Sequence, residues 1–304
     1  MTWGFGKVIL LGEHAVVYGH PALAGALGLG ARARATAACA DDPTSLTIAD
    51  WDLHVTAADD HPVADAMRAL LHAARAPRTG IALAAEVTVP PRAGLGSSAA
   101  LSVALARALY DLAGTAPSDE LIEATAGAAE QCFHGTPSGV DVALATRGGL
   151  GLFRRGTGLA PLSADPIEIA IGLSGEPRRT ADMVARVAAT DDDTHAADRL
   201  DALGDAARAG ADAVSRRDLP TLGALMNQAH EHLAALGVSS PALDALVGAA
   251  RDAGALGAKL TGAGGGGAVI ACAPGREQAV CEAWRTLGYE ARVCRVGATT
   301  PEES

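Results

Sequence analysis

Apolar positions along the chain alternate between short continuous runs and stripes of helical period. Lys7 to Leu11 (KVILL) reads as a buried strand, and Ile81 to Val89 (IALAAEVTV) has the alternation of a second. Ser45 to Val55 reads as a strand pair interrupted by polar turns. His61 to Ala74 and Ser118 to Cys132 have helical periods, and Leu101, Leu105 and Leu109 mark one face of another helix. ALAGALGLGARARATAAC, residues 22–39, is expected to continue as helix and strand in some order. GVDVALATRGGLGLF, residues 139–153, alternates like two short strands joined at a Gly-Gly turn.

After Arg155 the texture changes. A strand-like IEIAIGL (167–173) precedes alanine-rich helical segments as far as Ala253. Then come a strand in AVIACAP (268–274), a helix in REQAVCEAWRTLG and a last strand in YEARVCRV. Strands and helices mixed in both halves predict an α+β architecture of two domains, residues 1–165 and 166–304, with a cleft between them. The acidic TDDDTHAADR, residues 190–199, reads as a solvated loop or helix start. The chain shows no internal repeat.

Composition sharpens this picture in three places. The chain is 49% hydrophobic but only 3% aromatic, so its core must be built from small side chains on closely approaching elements. A formal net charge of -11 argues against nucleic acid or an anionic membrane as partner. It leaves an anionic small molecule open, because a local pocket can oppose the global sign. Cys39, Cys132, Cys272, Cys281 and Cys294 are odd in number and widely spaced, without a CxxC pair, which argues against a disulfide framework or structural zinc. No basic-then-apolar leader or membrane-length apolar run is present, and the cytoplasm is the expected compartment.

The candidate chemistry gathers at glycine-rich segments. Pro90 and Pro91 end the strand before AGLGSSAA, where Gly94 and Gly96 allow a tight path and Ser97 or Ser98 can cap the following helix. The positive end of that helix suits a phosphate. GAKLTGAGGGGAVIA holds Gly262, Gly264, Gly265, Gly266 and Gly267, which cost conformational entropy unless a close approach requires them. Ser98 and Glu130 supply the oxygen ligands that Mg²⁺ prefers. Asp141 stands between Val140 and Val142, read here as a strand start, and Lys7 could reach it across the sheet. A Lys–Asp pair supplies a charged carboxylate able to orient or deprotonate a hydroxyl. A P-loop, the protein-kinase signatures, a dinucleotide fingerprint, HExxH and GxSxG are all absent.

GKVILLGEHAVVYGHPAL, PPRAGLGSSAALSVALARAL and GAKLTGAGGGGAVIA together resemble the three motifs of the GHMP kinase superfamily, and within it the mevalonate kinase family most closely. EQCFHGTPSGVDVALATRGG resembles that family's segment with a magnesium carboxylate and the catalytic aspartate. SGEPRRTADMV resembles the turn before a helix that closes on the phosphates. The resemblance implies the two-domain GHMP kinase fold and ATP-dependent phosphorylation of the primary hydroxyl of mevalonate, with Mg²⁺. It implies that Lys7 pairs with catalytic Asp141, that Ser98 and Glu130 hold magnesium, and that Gly94, Leu95, Gly96, Ser97 and Ser98 wrap the ATP phosphates. Glu13 and His14 would line the acceptor end of the cleft, Thr180 would stand near the transferred group, and Gly264 and Gly265 would support the site. Arg154, Arg155 and Arg178 are candidates to meet the acceptor carboxylate. A homodimer is implied by resemblance only. Two positions depart from the family: Phe5 stands where proline is usual, and Arg92 where glycine is usual. The alternatives are another acceptor of the same superfamily (phosphomevalonate, homoserine or a sugar) and a non-catalytic metabolite-binding relative, which the persistence of Lys7, Ser98, Glu130 and Asp141 disfavours.

Overall fold

The computed structural model describes residues 1–91, 93–134, 138–177, 180–189 and 194–300, without the side chains of His134 and Thr194. Strand β1 (Thr2–Leu11) is buried over its last eight residues, as its apolar run demands. It pairs antiparallel with β2 (Ala22–Ala37), joined by a 3-10 turn at Ala15–Tyr18. The mixed helix and strand expected for residues 22–39 is thus one strand of 16 residues. Its alanines and glycines carry little strand propensity of their own; pairing with β1, β5 (Ile81–Val87) and β6 (Leu150–Arg154) decides the matter. Between β2 and β5 lie the expected pair β3 (Ser45–Ile48) and β4 (Leu53–Thr56), then α1 (Pro62–Ala73), whose first turn is capped by His61 Nδ1 accepting from the Val63 amide at 3.1 Å.

Helices α2 (Ser97–Leu112) and α3 (Asp119–His134) follow, with Leu101, Leu105 and Leu109 buried as their spacing predicts. Residues 139–153 depart from the expected strand pair. They form helix α4 (Val140–Arg147) and then β6, which pairs with β7 (Gly158–Leu162). Periodicity alone cannot separate a short buried helix from a strand. Here Gly139, at φ 91°, starts a helix that buries Val140, Ala143 and Leu144 on one side, and Asp141 falls in its first turn.

The second half begins with β8 (Ile167–Leu173) and continues through α5 (Thr180–Ala188), α6 (Thr194–Ser215), α7 (Leu219–Ala235) and α8 (Pro241–Asp252). It ends with β9 (Gly257–Thr261), β10 (Ala268–Cys272), α9 (Glu277–Thr286) and β11 (Glu290–Val296). In the acidic stretch 190–199 the helix starts at Thr194, and residues 190–193 lie outside the described residues. The strands run in the order β4-β3-β5-β2-β11-β8-β10-β9, with β1 and β6 also on β2. The two α+β domains therefore meet where β11 returns to β2, at Val296 opposite Leu27, with Gly297 N donating to Ala26 O at 2.8 Å. None of the five cysteines forms a disulfide. Among the described residues no helix is long and apolar enough to cross a membrane.

The small-residue core has a direct consequence for helix α2. A Cβ on Gly4 of β1 would stand 2.1 Å from the carbonyl oxygen of Ala100 and 3.1 Å from the Ala104 amide nitrogen. Strand and helix backbones therefore touch, and Thr2 Oγ1 adds a hydrogen bond to Ala104 O at 2.7 Å. Gly4→Ala is expected to lower unfolding stability by about 1–3 kcal/mol, the usual range for overpacking. A denaturant titration tests this, and an unchanged midpoint would show that the helix moves away at no cost.

Candidate active site

Lys7 lies in the middle of β1, and its side chain is only 2% exposed. An ammonium so deeply withdrawn from water needs an opposite charge, and Asp141 Oδ1 lies 3.1 Å from its Nζ. The acid comes from helix α4 rather than from a strand across the sheet, because Gly139 turns the chain so that the first helical turn faces β1. The Lys7 amide donates to Leu95 O at 2.9 Å, which ties the glycine loop to the strand. A Cβ on Gly96 would stand 2.9 Å from Lys7 Cγ, and Gly96 has φ 78°. The glycine is required by this approach to the lysine stem and by its left-handed backbone.

Gly96 is the N-cap of α2 and offers no side-chain cap, so Ser97 and Ser98 are helical residues rather than the expected caps. The first bond within α2 runs from Ala100 N to Gly96 O at 2.9 Å, and the first-turn amides precede it at the positive end of the helix. Ser98 turns its hydroxyl to Glu130, donating to Oε2 at 3.1 Å, while Ser102 Oγ donates to Oε1 at 3.4 Å. Glu130 is 1% exposed. Burial, and next the charge of Asp141, push its pKa up to about 7, while the two serine hydroxyls and Lys7 pull the other way. A buried acid beside another acid is a place where a cation is favoured. The Ser98–Glu130 oxygen separation of 3.1 Å is also close to an edge of a magnesium octahedron, roughly 3.0 Å for ligand distances near 2.1 Å. These two residues fit the metal expected of them.

A second cluster lies at the end of β1. Glu13, with a fully buried side chain, pairs with Lys259 of β9, which is equally buried and also donates to Leu260 O at 2.7 Å. Burial pushes the Glu13 carboxyl up and the Lys259 ammonium down, and their mutual attraction opposes both shifts. His14, at φ 60°, places Nε2 2.8 Å from Ala263 O, and Thr261 Oγ1 donates to Ile9 O at 2.9 Å. The sequence motifs do not single out Lys259, although it interrupts the apolar strand GAKLT much as Lys7 interrupts β1. Ser102 carries no such signal, being one more small residue in an alanine-rich helix.

The third glycine loop is a packing device. Gly265 N donates to Val238 O at 2.8 Å, and a Cβ on Gly264 would stand 2.0 Å from that same oxygen. A Cβ on Gly265 would meet Met183 of α5 at 2.9 Å, so the loop supports the helix that Thr180 opens. Of the arginines considered for an acceptor carboxylate, Arg154 donates to Gly19 O at 2.7 Å and Arg155 is exposed. Arg178 and Arg92 lie outside the described residues. Phe5 packs edge-on against Trp3 at 6.1 Å, with Ala26 and Ala298 beside it.

Residues 61–149 match the family model for the GHMP kinases N terminal domain, and residues 211–290 match the GHMP kinases C terminal model. A mevalonate kinase of Aeropyrum pernix is 37% identical, over 87% of this chain and 86% of its own. The chain belongs to the mevalonate kinase family of the GHMP kinase superfamily. A second family member, from Pyrococcus horikoshii, is 35% identical over 95% of this chain and 93% of its own. The crystal structure of L. major mevalonate kinase in complex with R-mevalonate superposes with a TM-score of 0.89 at 27% identity, covering all of this chain and 96% of that one. As a GHMP kinase, the chain acts on a small metabolite by ATP-dependent phosphorylation.

The Glu130 environment yields a stability prediction in metal-free solution. Its folded-state pKa lies above the unfolded value of 4.5, so no penalty exists below that pH and one grows as pH rises to about 7. Without Mg²⁺, Glu130→Gln is therefore expected to match wild-type stability at pH 4 and to exceed it by about 3 kcal/mol at pH 8. Parallel denaturation curves at the two pH values check it; equal stability at pH 8 would contradict the buried-acid assignment.

Proposed function

We propose that this kinase transfers the γ-phosphoryl group of ATP to the primary 5-hydroxyl of mevalonate, giving 5-phosphomevalonate and ADP. The observation that carries the reading is the Lys7–Asp141 pair, 3.1 Å apart, beside the Ser98–Glu130 pair at the positive end of α2. Phosphoryl transfer asks a protein mostly for positioning and electrostatic stabilisation, and this constellation offers both. Asp141, 28% exposed, is the member of its pair that an acceptor can reach. It orients the attacking hydroxyl and is placed to accept its proton, while Lys7 fixes the carboxylate from behind. Gly94 to Ser98 lead the chain to amides that face phosphate oxygens. Ser98 and Glu130 hold Mg²⁺, which when bound offsets negative charge on the phosphates. Glu13 and His14 define the acceptor side, and Thr180 the side of the transferred group. The choice of mevalonate as acceptor is supported by the names of the relatives and by the R-mevalonate bound in the L. major enzyme.

Asp141→Asn is expected to lower kcat by about a hundredfold or more while ATP binding and the fold persist. Steady-state rates alongside a nucleotide-binding titration check this, and near-normal turnover would remove Asp141 from the chemistry.

Substrate identity is settled by an ATP-coupled assay over mevalonate, phosphomevalonate, homoserine and galactose, followed by phosphorus NMR of the product. A single primary phosphate ester from mevalonate is the expected result. A diphosphate from phosphomevalonate would move the chain to that activity. Absence of ADP formation with every acceptor would mark a binding protein.

A further inference from the structure

In the middle of α2, among alanines, leucines and a valine, stands a buried hydroxyl that its own helix does not use. Ser102 is 3% exposed, and Ala99, Leu101, Val103 and Ala106 around it are buried as well. Serine is a poorer helix former than alanine, and a hydroxyl withdrawn from water costs stability unless it is bonded. A serine inside a helix commonly points to solvent or bonds back to the carbonyl four residues earlier. Ser102 does neither. Its hydroxyl crosses to α3 and donates to Oε1 of Glu130 at 3.4 Å. Alanine would serve the helix better at this position, so the reason for the hydroxyl lies with Glu130.

Ser98 and Ser102 are one turn apart on one face of α2, and each takes one oxygen of that carboxylate. Ser98 donates to Oε2 at 3.1 Å and is itself half-buried, on the side where the cluster opens. Ser102 holds Oε1 from the closed side, a turn further along the helix. A carboxylate turns readily about its last bond, which exchanges or misaligns its oxygens. A donor fixed on Oε1 removes that freedom and leaves Oε2 with Ser98 Oγ as the pair facing outward. Lys7 cannot take this part, because its ammonium is committed to Asp141 at 3.1 Å.

We propose that Ser102 is a positioning residue for the magnesium site, which by holding Oε1 of Glu130 presents Oε2, together with Ser98 Oγ, to the cation. This rests on the assignment of Mg²⁺ to Ser98 and Glu130 in the proposed function. Ser102 is not itself a ligand and acts through Glu130. Groups that orient a metal ligand in this way are worth about ten- to a hundredfold in metal affinity.

The test reads metal binding without turnover. ATP affinity is measured by calorimetry, with no acceptor present, once in EDTA and once at saturating Mg²⁺. The ratio of the two affinities reports how tightly the protein–ATP complex holds the cation, because the linkage is reciprocal. In Ser102→Ala this ratio is expected to fall at least about tenfold, with the affinity in EDTA unchanged. Ser102→Thr keeps a hydroxyl on the same carbon and is expected to stay within about threefold of wild type, since orientation of the ligand is retained. An alanine variant with the wild-type ratio would overturn the proposal. So would one whose ATP affinity falls equally in EDTA, since the serine would then shape the phosphate end of the helix and not the metal site. A threonine variant as weak as the alanine one would trace the loss to packing and overturn it as well. Glu130→Gln, measured in the same way, tests the metal assignment separately: a wild-type ratio there would remove Glu130 from the magnesium site, whatever Ser102 does.

Discussion

A lysine withdrawn from water has to be met by an acid, and the site is built around that requirement at Lys7. The strand that carries it is apolar on both sides of the position, so the ammonium cannot escape to solvent by bending the strand outward. Asp141 must come to it, and this fixes where α4 begins. The loop before α2 must lie on the lysine stem, and this demands glycine at Gly96. With the loop in place, α2 starts beside the Lys7–Asp141 pair, and Ser98 stands where it meets Glu130 from α3. One buried cation thereby gathers four elements from separate parts of the chain.

Close backbone approach is what makes that gathering possible. Gly4 against Ala100, Gly96 against Lys7, and Gly257 against Gly223 are contacts that no larger residue permits. A chain with 3% aromatic residues cannot fill wide gaps between layers, so its elements sit nearer to one another. The same economy serves the third glycine loop, whose residues lie against Val238 and Met183. Its contribution to the site is indirect: it supports α5 and holds the seam where Thr261 and Ala263 meet the end of β1.

Charge is distributed by function rather than by the overall sign. The chain carries a net charge of -11, yet two lysines, Lys7 of β1 and Lys259 of β9, are buried, each facing an acid. Glu130, by contrast, is a buried acid whose nearest charged neighbours include another acid, and its carboxyl is pushed up accordingly. This imbalance distinguishes Glu130 from the two acids that face lysines. Lys7 answers one carboxylate of this cluster, so Glu130 and Asp141 together carry one more acid than base when both are ionised.

Apolar period and glycine placement sufficed to locate most of the elements and the candidate residues that the fold brings together. Lys7, Glu130 and Asp141 stand out as polar residues among apolar ones, and Ser98 as an oxygen donor directly after the glycine loop. That signal is local, and so it is legible in a single chain. Three features depended on contacts between distant segments. Residues 22–37 became one strand because β1, β5 and β6 supply its hydrogen bonds, whatever the weak preference of alanine and glycine. Residues 140–147 became a helix because Gly139 turned Val140, Ala143 and Leu144 together into the core, where a strand would have divided them. Lys259 gained its partner only when β9 came to lie against the end of β1, since Glu13 is 246 positions away in the chain and no sequence period links them.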